Sequence, residues 1–339
     1  MKNRNRYYPF ISAATTACLI VTLCCVSPFH AEAQSKTTKN KAVKTDMVIA
    51  AVKKDTSVKS SIAADTTVTV PIKKKQYAKN TFDGNYIIDN QTVMVPIKGT
   101  FEFDIQHRFG VVSNGTKDLF GIFASATMKL GVSYTPVSNL QFGFDGTNES
   151  MIVDGNIKFA LLKQTRSGSI PISITYFGNV AADTRKKDNT TLFVTTSDRF
   201  SYFNQIIIAR KFSDKISLQV APSVSHFNNL EGYLDPNTGK VAKLLKNDNF
   251  SVAVSGRYKI ADGVALMANY DQPLTQNPAN NPHPNLSFGI EMKTSGHDFE
   301  VFFGNYSSLI PQNNNVFNQN DFKKGQFLIG FNISRLWNF

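Results

Sequence analysis

Cysteine is nearly absent from this sequence of 339 residues. Its three cysteines, Cys18, Cys24 and Cys25, all lie within the first 33 residues. The rest of the chain therefore has no disulfide, no thiol nucleophile and no thiolate ligand for a metal. A cysteine-free chain suits an oxidising compartment, where stray thiols would be mispaired, although chance also produces it when cysteines are so few.

Long apolar runs are absent beyond residue 33 as well. No stretch there approaches the ~20 apolar residues that a membrane-spanning helix needs. If the chain enters a membrane, it must do so as a closed β-barrel, because only helices and closed barrels satisfy their backbone polar groups in lipid. The mean hydropathy of −0.20 agrees with a barrel, whose strands place only alternate residues in lipid.

An excess of positive charge is missing from most of the chain, despite a net charge of +12. Residues 34–80 hold eleven lysines and three aspartates, whereas residues 81–339 hold 23 basic and 21 acidic residues. The near-neutral body gives no reason to predict nucleic-acid binding. We predict that residues 34–80, rich in Lys, Thr and Ser, form a disordered periplasmic tether. Its lysines at 73–75 could bind a periplasmic or cell-wall partner, although a solvated linker is the simpler interpretation.

The first 33 residues are predicted to be a signal peptide. Three basic residues precede an apolar stretch at residues 10–29, and Ala31 and Ala33 mark a cleavage site. A lipoprotein signal is the alternative, but Leu23 is a poor residue immediately before a lipidated Cys24. We therefore predict that the mature chain begins near residue 34.

From residue 99 onward, apolar and polar residues alternate with period two, which is typical of half-buried strands. Phe101, Phe103 and Ile105 share one face of the first strand, while Glu102 and Asp104 share the other. The pattern predicts an all-β, antiparallel up-and-down transmembrane barrel over residues 81–339. Its twelve strands are expected at about 99–112, 119–134, 139–147, 152–164, 168–182, 199–213, 215–229, 246–260, 262–275, 285–295, 296–308 and 323–339.

The connections between these strands sort by length. Those after strands two, six, eight and ten are tight turns. Those after strands five, seven, nine and eleven are long and polar, at 183–198, 230–245, 276–284 and 309–322. Short turns at one end and long loops at the other are typical of Gram-negative outer-membrane barrels with a periplasmic N-terminus. A soluble sandwich has no reason to sort its loops in this way.

The second face of each strand is predicted to line the lumen. Its charged members are eight acids and seven bases, a balance that favours salt-bridged walls over strong selectivity for one ionic sign. These candidates are Glu102, Asp104, Arg108, Lys129, Asp145, Asp154, Lys158, Lys211, Arg257, Lys259, Asp271, Glu291, Lys293, Asp298 and Glu300.

The last strand presents one aromatic and apolar face that ends at the final residue of the sequence. Such an ending resembles the signal that barrel-assembly machinery reads during insertion. The residues predicted to carry it are Phe331, Ile333, Trp337 and Phe339.

Two segments resemble a family of uncharacterised outer-membrane β-barrels from Bacteroidetes. The opening contains Lys98-Gly99-Thr100-Phe101-Glu102-Phe103 and then His107-Arg108-Phe109-Gly110. The close contains Gly330-Phe331-Asn332-Ile333-Ser334-Arg335. The resemblance covers about residues 81–339 and implies a barrel in the outer membrane, but it implies no substrate.

Motifs for chemistry are weak. The histidines beyond residue 33 show no metal-ligand spacing, so we predict no metal site and no cofactor. Ser225 precedes His226, yet adjacent strand residues point to opposite faces, so the histidine cannot simply activate the serine. We predict no catalytic residues, and a barrel hydrolase is the weaker option.

The function that the sequence favours is a narrow, weakly selective channel or a small-solute binding barrel. The alternative is a structural or partner-docking barrel without transport. Outer-membrane lipid and the barrel-assembly machinery are the expected partners.

Overall fold

The alternating segments after residue 99 form twelve antiparallel strands that close into a barrel. The computed structural model describes residues 76–79, 81–187 and 193–339. Strands β1–β16 are Tyr86–Ile87, Asn90–Gln91, Thr100–Val111, Thr127–Val137, Leu140–Thr147, Ile152–Leu162, Ser173–Asp183, Phe200–Lys211, Ile216–Phe227, Gly232–Leu234, Val241–Lys243, Asp248–Ala261, Val264–Pro273, Asn285–Lys293, His297–Gly304 and Leu328–Asn338. One α-helix, α1, is Pro311–Phe317, and 3-10 turns are Val112–Asp118, Glu149–Met151, Thr196–Arg199 and Phe322–Lys324.

The wall consists of β3–β9 and β12–β16, and it closes where β16 pairs with β3. The prediction of a twelve-stranded barrel is thus confirmed. The second strand is shorter than predicted, since it begins at Thr127 and not near 119. Leu119, Phe120 and Gly121 adopt positive φ angles of 53°, 57° and 86°, which end any extended conformation there.

Alternation along each strand separates the two faces of the wall. Phe144 is 59% exposed, whereas the next residue, Asp145, is 3% exposed. The same contrast recurs around the barrel, so apolar side chains cover the outside and polar ones fill the inside. Among the described residues, no helix is long and apolar enough to cross a membrane.

The connections follow the predicted sorting. At one end, called here the short-turn end, β4–β5, β12–β13 and β14–β15 are joined by residues 138–139, 262–263 and 294–296. At the other, the long-loop end, the connections include residues 274–284 and 305–327.

The described segment just before the first wall strand does not belong to the wall. Residues 81–95, called here the plug, lie inside the barrel and include the small hairpin β1–β2. The barrel predicted over residues 81–339 includes this segment, but no pattern in the sequence predicts that it fills the lumen. The predicted signal peptide and nearly all of the predicted tether lie outside the described residues. At the end of that tether, Tyr77 forms an antiparallel bridge with Thr165 at the short-turn end.

Candidate functional site

The tip of the plug is a tight turn in an unusual conformation. Ile88 has φ of 65°, a region that β-branched residues rarely adopt, and its side chain is fully buried. Its backbone N–H donates to the Glu300 carboxylate at 3.2 Å, and its carbonyl accepts from Asn332 at 2.5 Å. Wall side chains therefore hold this strained turn in place.

Other polar atoms of the plug reach several strands. Asn85 donates to the Glu102 carboxylate and to Gln141, while its own carbonyl accepts from Lys158 at 3.1 Å. Asn90 donates to Asp271 at 2.8 Å. The plug thus presents neutral N–H donors to carboxylates of the wall.

Apolar contacts seat the plug against the opposite part of the wall. The buried cluster there combines four plug residues with side chains from β7, β8, β9, β12, β13 and β15, and it extends to Tyr306. Its members are Phe82, Ile87, Ile88, Val93, Phe177, Phe203, Ile207, Ala209, Ala221, Ala253, Met267, Phe302 and Tyr306. Thr175 adds a hydrogen bond of 3.0 Å to the carbonyl of Val93.

The inner wall divides into two arcs of different chemistry. The charged arc is the inward face of β14–β16 and β3–β6, and it carries seven acids and four bases. These are Glu102, Asp104, Asp145, Asp154, Glu291, Asp298 and Glu300, with Arg108, Lys129, Lys158 and Lys293. The neutral arc is the inward face of β7–β9, whose side chains between the strand ends are uncharged. Between the arcs, β12 and β13 carry Arg257 and Asp271.

Ion pairs join part of this charge. Lys129 lies 3.0 Å from Asp145 and 3.5 Å from Asp154. Arg257 bridges Glu291 of the wall and Asp83 of the plug, and Lys293 lies 3.6 Å from Asp83. The plug is therefore tied to the wall by charge near the short-turn end.

The charged residues predicted to face the lumen lie at different depths along their strands. Lys211 and Lys259 lie at the short-turn rim, where they pair with the turn residues Asp214 and Asp262. The deep lumen is therefore more acidic than the expected balance of eight acids and seven bases. Strand parity indicates the side of the wall, but it does not indicate depth.

Neighbouring side chains fill the space beside the inward-facing glycines Gly289 and Gly330. A Cβ at Gly289 or at Gly330 would clash with Phe302, whose ring lies under the Arg108 guanidinium at 4.5 Å. The remaining cavities beside the plug measure about 20 and 10 Å³, which is room for about one water molecule each. The plug therefore leaves little free space beside it at these two places.

Helix α1 covers the lumen from the long-loop end and contacts β8, β9, β12 and β13. Gln312 in this helix is fully buried and donates to Asn179 at 3.0 Å. Above the helix, a cavity of about 550 Å³, called here the cup, lies between the long loops. Its aromatic lining residues are Phe193, Phe200, Phe227 and Phe317.

The charged lining of the cup is largely engaged with the protein itself. Arg199 lies over the Phe193 ring at 4.4 Å and donates to the carbonyls of Asp183 and Arg185. Asp198 accepts from the backbone N–H groups of Thr195 and Val194 at 2.7 and 2.8 Å, and these bonds hold the pKa of its carboxyl below the usual value.

The residues considered for chemistry lie apart. Ser225 points inward and is buried, whereas His226 points outward and contacts Asp248 at 2.7 Å. Within residues 76–79, 81–187 and 193–339, no three His, Asp or Glu side chains are grouped so as to hold a metal ion.

The residues of the predicted assembly signal lie on the outer face of β16. The Phe331 ring stacks on His107 at 5.0 Å, Ile333 faces Ile105, and Trp337 lies 6.0 Å from Phe101. Phe339 is 94% exposed. Their role in assembly stays a prediction.

A family model described as a membrane-bound β-barrel domain of unknown function (DUF5777) matches residues 82–337. The chain belongs to this family. The match begins within the plug, so it covers most of the plug as well as the wall. No curated protein matches the sequence.

Several solved barrels share the fold at low similarity. The NanC porin is 9% identical, with a TM-score of 0.42, over 70% of this chain and 99% of its own. The COG4313 outer membrane channel from Pseudomonas putida F1 is 10% identical, with a TM-score of 0.43, over 72% and 97%. The KdgM porin is 8% identical, with a TM-score of 0.37, over 71% and 99%.

Proposed function

We propose that this protein is a gated outer-membrane channel for small solutes that the plug holds closed. The observation that carries the proposal is the nature of the plug. It is not a strand of the wall, and side-chain contacts and a few bonds to its backbone hold it in a polar lumen. Movement of this one segment would open a path while every hydrogen-bonded strand pair of the barrel stays intact.

The arrangement of the two ends supports an orientation for the channel. Short turns of such barrels face the periplasm, and long loops face outward. In this orientation, the cup receives solutes from outside, and the plug enters the lumen from the periplasmic side. Residues 76–79, just before the plug, then lie at the end where a periplasmic or cell-wall partner could pull on them. Assembly machinery and outer-membrane lipid remain the other proposed partners.

The alternative is a permanently sealed barrel with a structural or docking role. The buried bridge of Arg257 with Asp83 and Glu291 favours it, because such a bridge is costly to separate. A barrel hydrolase is the weaker option, and it would require lipid or peptide turnover that disappears in the His226→Ala variant.

Single-channel recording in planar bilayers distinguishes a gate from a seal. We expect the intact protein to be closed most of the time and a variant lacking residues 81–95 to conduct steadily. A sealed structural barrel would still be silent in the intact form, and no brief openings would be seen.

An engineered disulfide tests the gate in the full-length chain. A Cβ built at Gly84 lies 3.5 Å from Cγ of Asp298, so the side chains at these two positions are in direct contact. In the variant G84C/D298C, oxidation should abolish brief openings and reduction should restore them. The single variant Gly84→Cys is the matched control. If neither the deletion nor the reduced variant ever conducts, the channel proposal is wrong.

A further inference from the structure

Four of the seven acids of the charged arc lie on one row of paired residues around the barrel. Pairing runs from Asp298 to Ser334, from Ser334 to Asp104, and then through Gly131 to Asp145 and Asp154. Each of these residues points inward. Four strands of this arc therefore carry a carboxyl group on the same row, and Glu102, Glu291 and Glu300 add three more carboxyl groups to the arc.

Some of these carboxyl groups lack full hydrogen bonding. Oδ1 of Asp298 and Oε1 of Glu102 are buried and have no hydrogen-bond partner among the described residues. Both side chains are more than nine-tenths buried, and both border the space that the plug occupies. A buried carboxylate oxygen without a donor is costly, so a further donor or cation at this position would be stabilising.

The plug supplies uncharged N–H donors to three carboxylates of the wall. Asn85 donates to Glu102, the backbone of Ile88 to Glu300, and Asn90 to Asp271. Residues 81–95 contain no lysine or arginine, so the plug meets these carboxylates with neutral groups. When it moves away, all three lose a donor at once.

The charge that remains on the wall is negative. Adding Asp271 and Arg257 to the charged arc gives eight acids and five bases. The cup has the same sign, since its lining includes four acids and two arginines. Potentials of one sign along a confined path raise the local concentration of the opposite ion.

We propose that the opened barrel selects cations, either inorganic or carrying a small ammonium group, over anions. Glu102, Glu300 and Asp271 determine this specificity, because the plug's donors occupy the positions that a passing cation takes. The inference rests on the proposed gate and adds the class of permeant. The selectivity proposed here is stronger than the weak selectivity that the sequence alone suggests.

The first test is the reversal potential of the variant lacking residues 81–95 in a KCl gradient. We expect K⁺ permeability to exceed Cl⁻ permeability several-fold. Adding Glu102→Gln, Glu300→Gln and Asp271→Asn should bring the two permeabilities close together. Asp214→Asn, at an exposed turn, is the matched control and should leave the ratio unchanged.

The second test does not depend on conductance. A ligand that binds only the folded state raises its melting temperature. We expect 1,4-diaminobutane to raise the melting temperature of the plug-deleted barrel at constant ionic strength. It should not raise that of the intact protein or of the triple variant. If the deletion variant does not refold, the full-length variant with Asn85→Ala and Ile88→Gly provides the same measurements.

The outcomes separate the two proposals. Stabilisation by the diamine without any conductance contradicts the gate and supports the cation site. Steady conductance with no preference for K⁺ supports the gate and overturns the cation inference. Anion preference, or a triple variant as selective as its parent, also overturns it.

Discussion

The charged arc and the neutral arc hold the same plug by different physical means. Against the charged arc, Asn85 and Ile88 form hydrogen bonds with buried carboxylates. Against the neutral arc, the plug packs apolar groups on Phe203 and Ile207. Hydrogen bonds and ion pairs can be exchanged with water or ions, whereas apolar burial is lost when water enters.

This difference indicates how a plug can be both stable and removable. Buried polar pairs contribute little net stability, because desolvation offsets much of their attraction. The apolar contacts therefore supply most of the stabilisation, while the polar contacts fix the position of the plug. We expect variants in the two arcs to differ in how much they lower the free energy of unfolding. They should also differ in whether added substitutions restore it.

The largest effect is expected at Arg257, where the plug, the charged arc and β12 meet. Arg257→Met leaves the buried Glu291 carboxylate without its ion-pair partner and Asp83 with Lys293 alone, and it should cost about 3–5 kcal/mol. Unfolding in guanidinium chloride from detergent micelles measures this loss. Adding Asp83→Asn and Glu291→Gln should restore most of it, because the unpaired charges are gone. A loss that the added changes do not rescue would show that Arg257 acts through packing.

A variant in the neutral arc should lower the free energy of unfolding nearly as much, but by leaving a cavity and not an unpaired charge. Ile207 is fully buried against the plug, and Ile207→Ala should cost about 2–5 kcal/mol by leaving a cavity. The adjacent Ile208, which is 37% exposed on the outer face, is the matched control, and Ile208→Ala should cost clearly less. Equal losses in the same unfolding assay would contradict the contrast between the two faces.

The sequence predicts the wall better than it predicts the plug. Alternation in Phe101-Glu102-Phe103-Asp104 reports directly which side chain faces lipid, so the strands and their faces could be derived residue by residue. The plug has no such period, because its two short strands pair with each other and its position depends on contacts far along the chain, such as that of Ile88 with Glu300. Only a shift in composition marks it, since residues 81–97 contain no lysine and residues 34–80 contain eleven.

A smaller effect is expected from one of the hydrogen bonds between the plug and the neutral arc. Thr175→Val removes the bond to the carbonyl of Val93 and should cost about 0.5–1.5 kcal/mol. Faster hydrogen exchange of plug amides would reveal the loosened segment. Tyr176→Phe is the matched control. Tyr176 lies on the outer face of the same strand as Thr175, and the change removes its hydrogen bond to Asn204 of the neighbouring strand β8. If the control variant also speeds the exchange of plug amides, the effect passes through strand β7 and not through the lost hydrogen bond.

The smallest effect concerns pH and the loop beside the cup. Because the amides of Thr195 and Val194 lower the pKa of Asp198, this carboxylate stabilises the loop at pH values above its unfolded-state pKa of about 3.9. That stabilisation is lost as the pH falls through the lower folded-state pKa. We expect hydrogen exchange at Val194 and Thr195, corrected for intrinsic rates, to lose protection only under such acidic conditions. Asp198→Asn should remove the pH dependence while plug amides remain protected. If plug amides lose protection from hydrogen exchange in this variant, the loop beside the cup stabilises the plug. The stability of the plug would then depend on the long loops as well as on the two arcs.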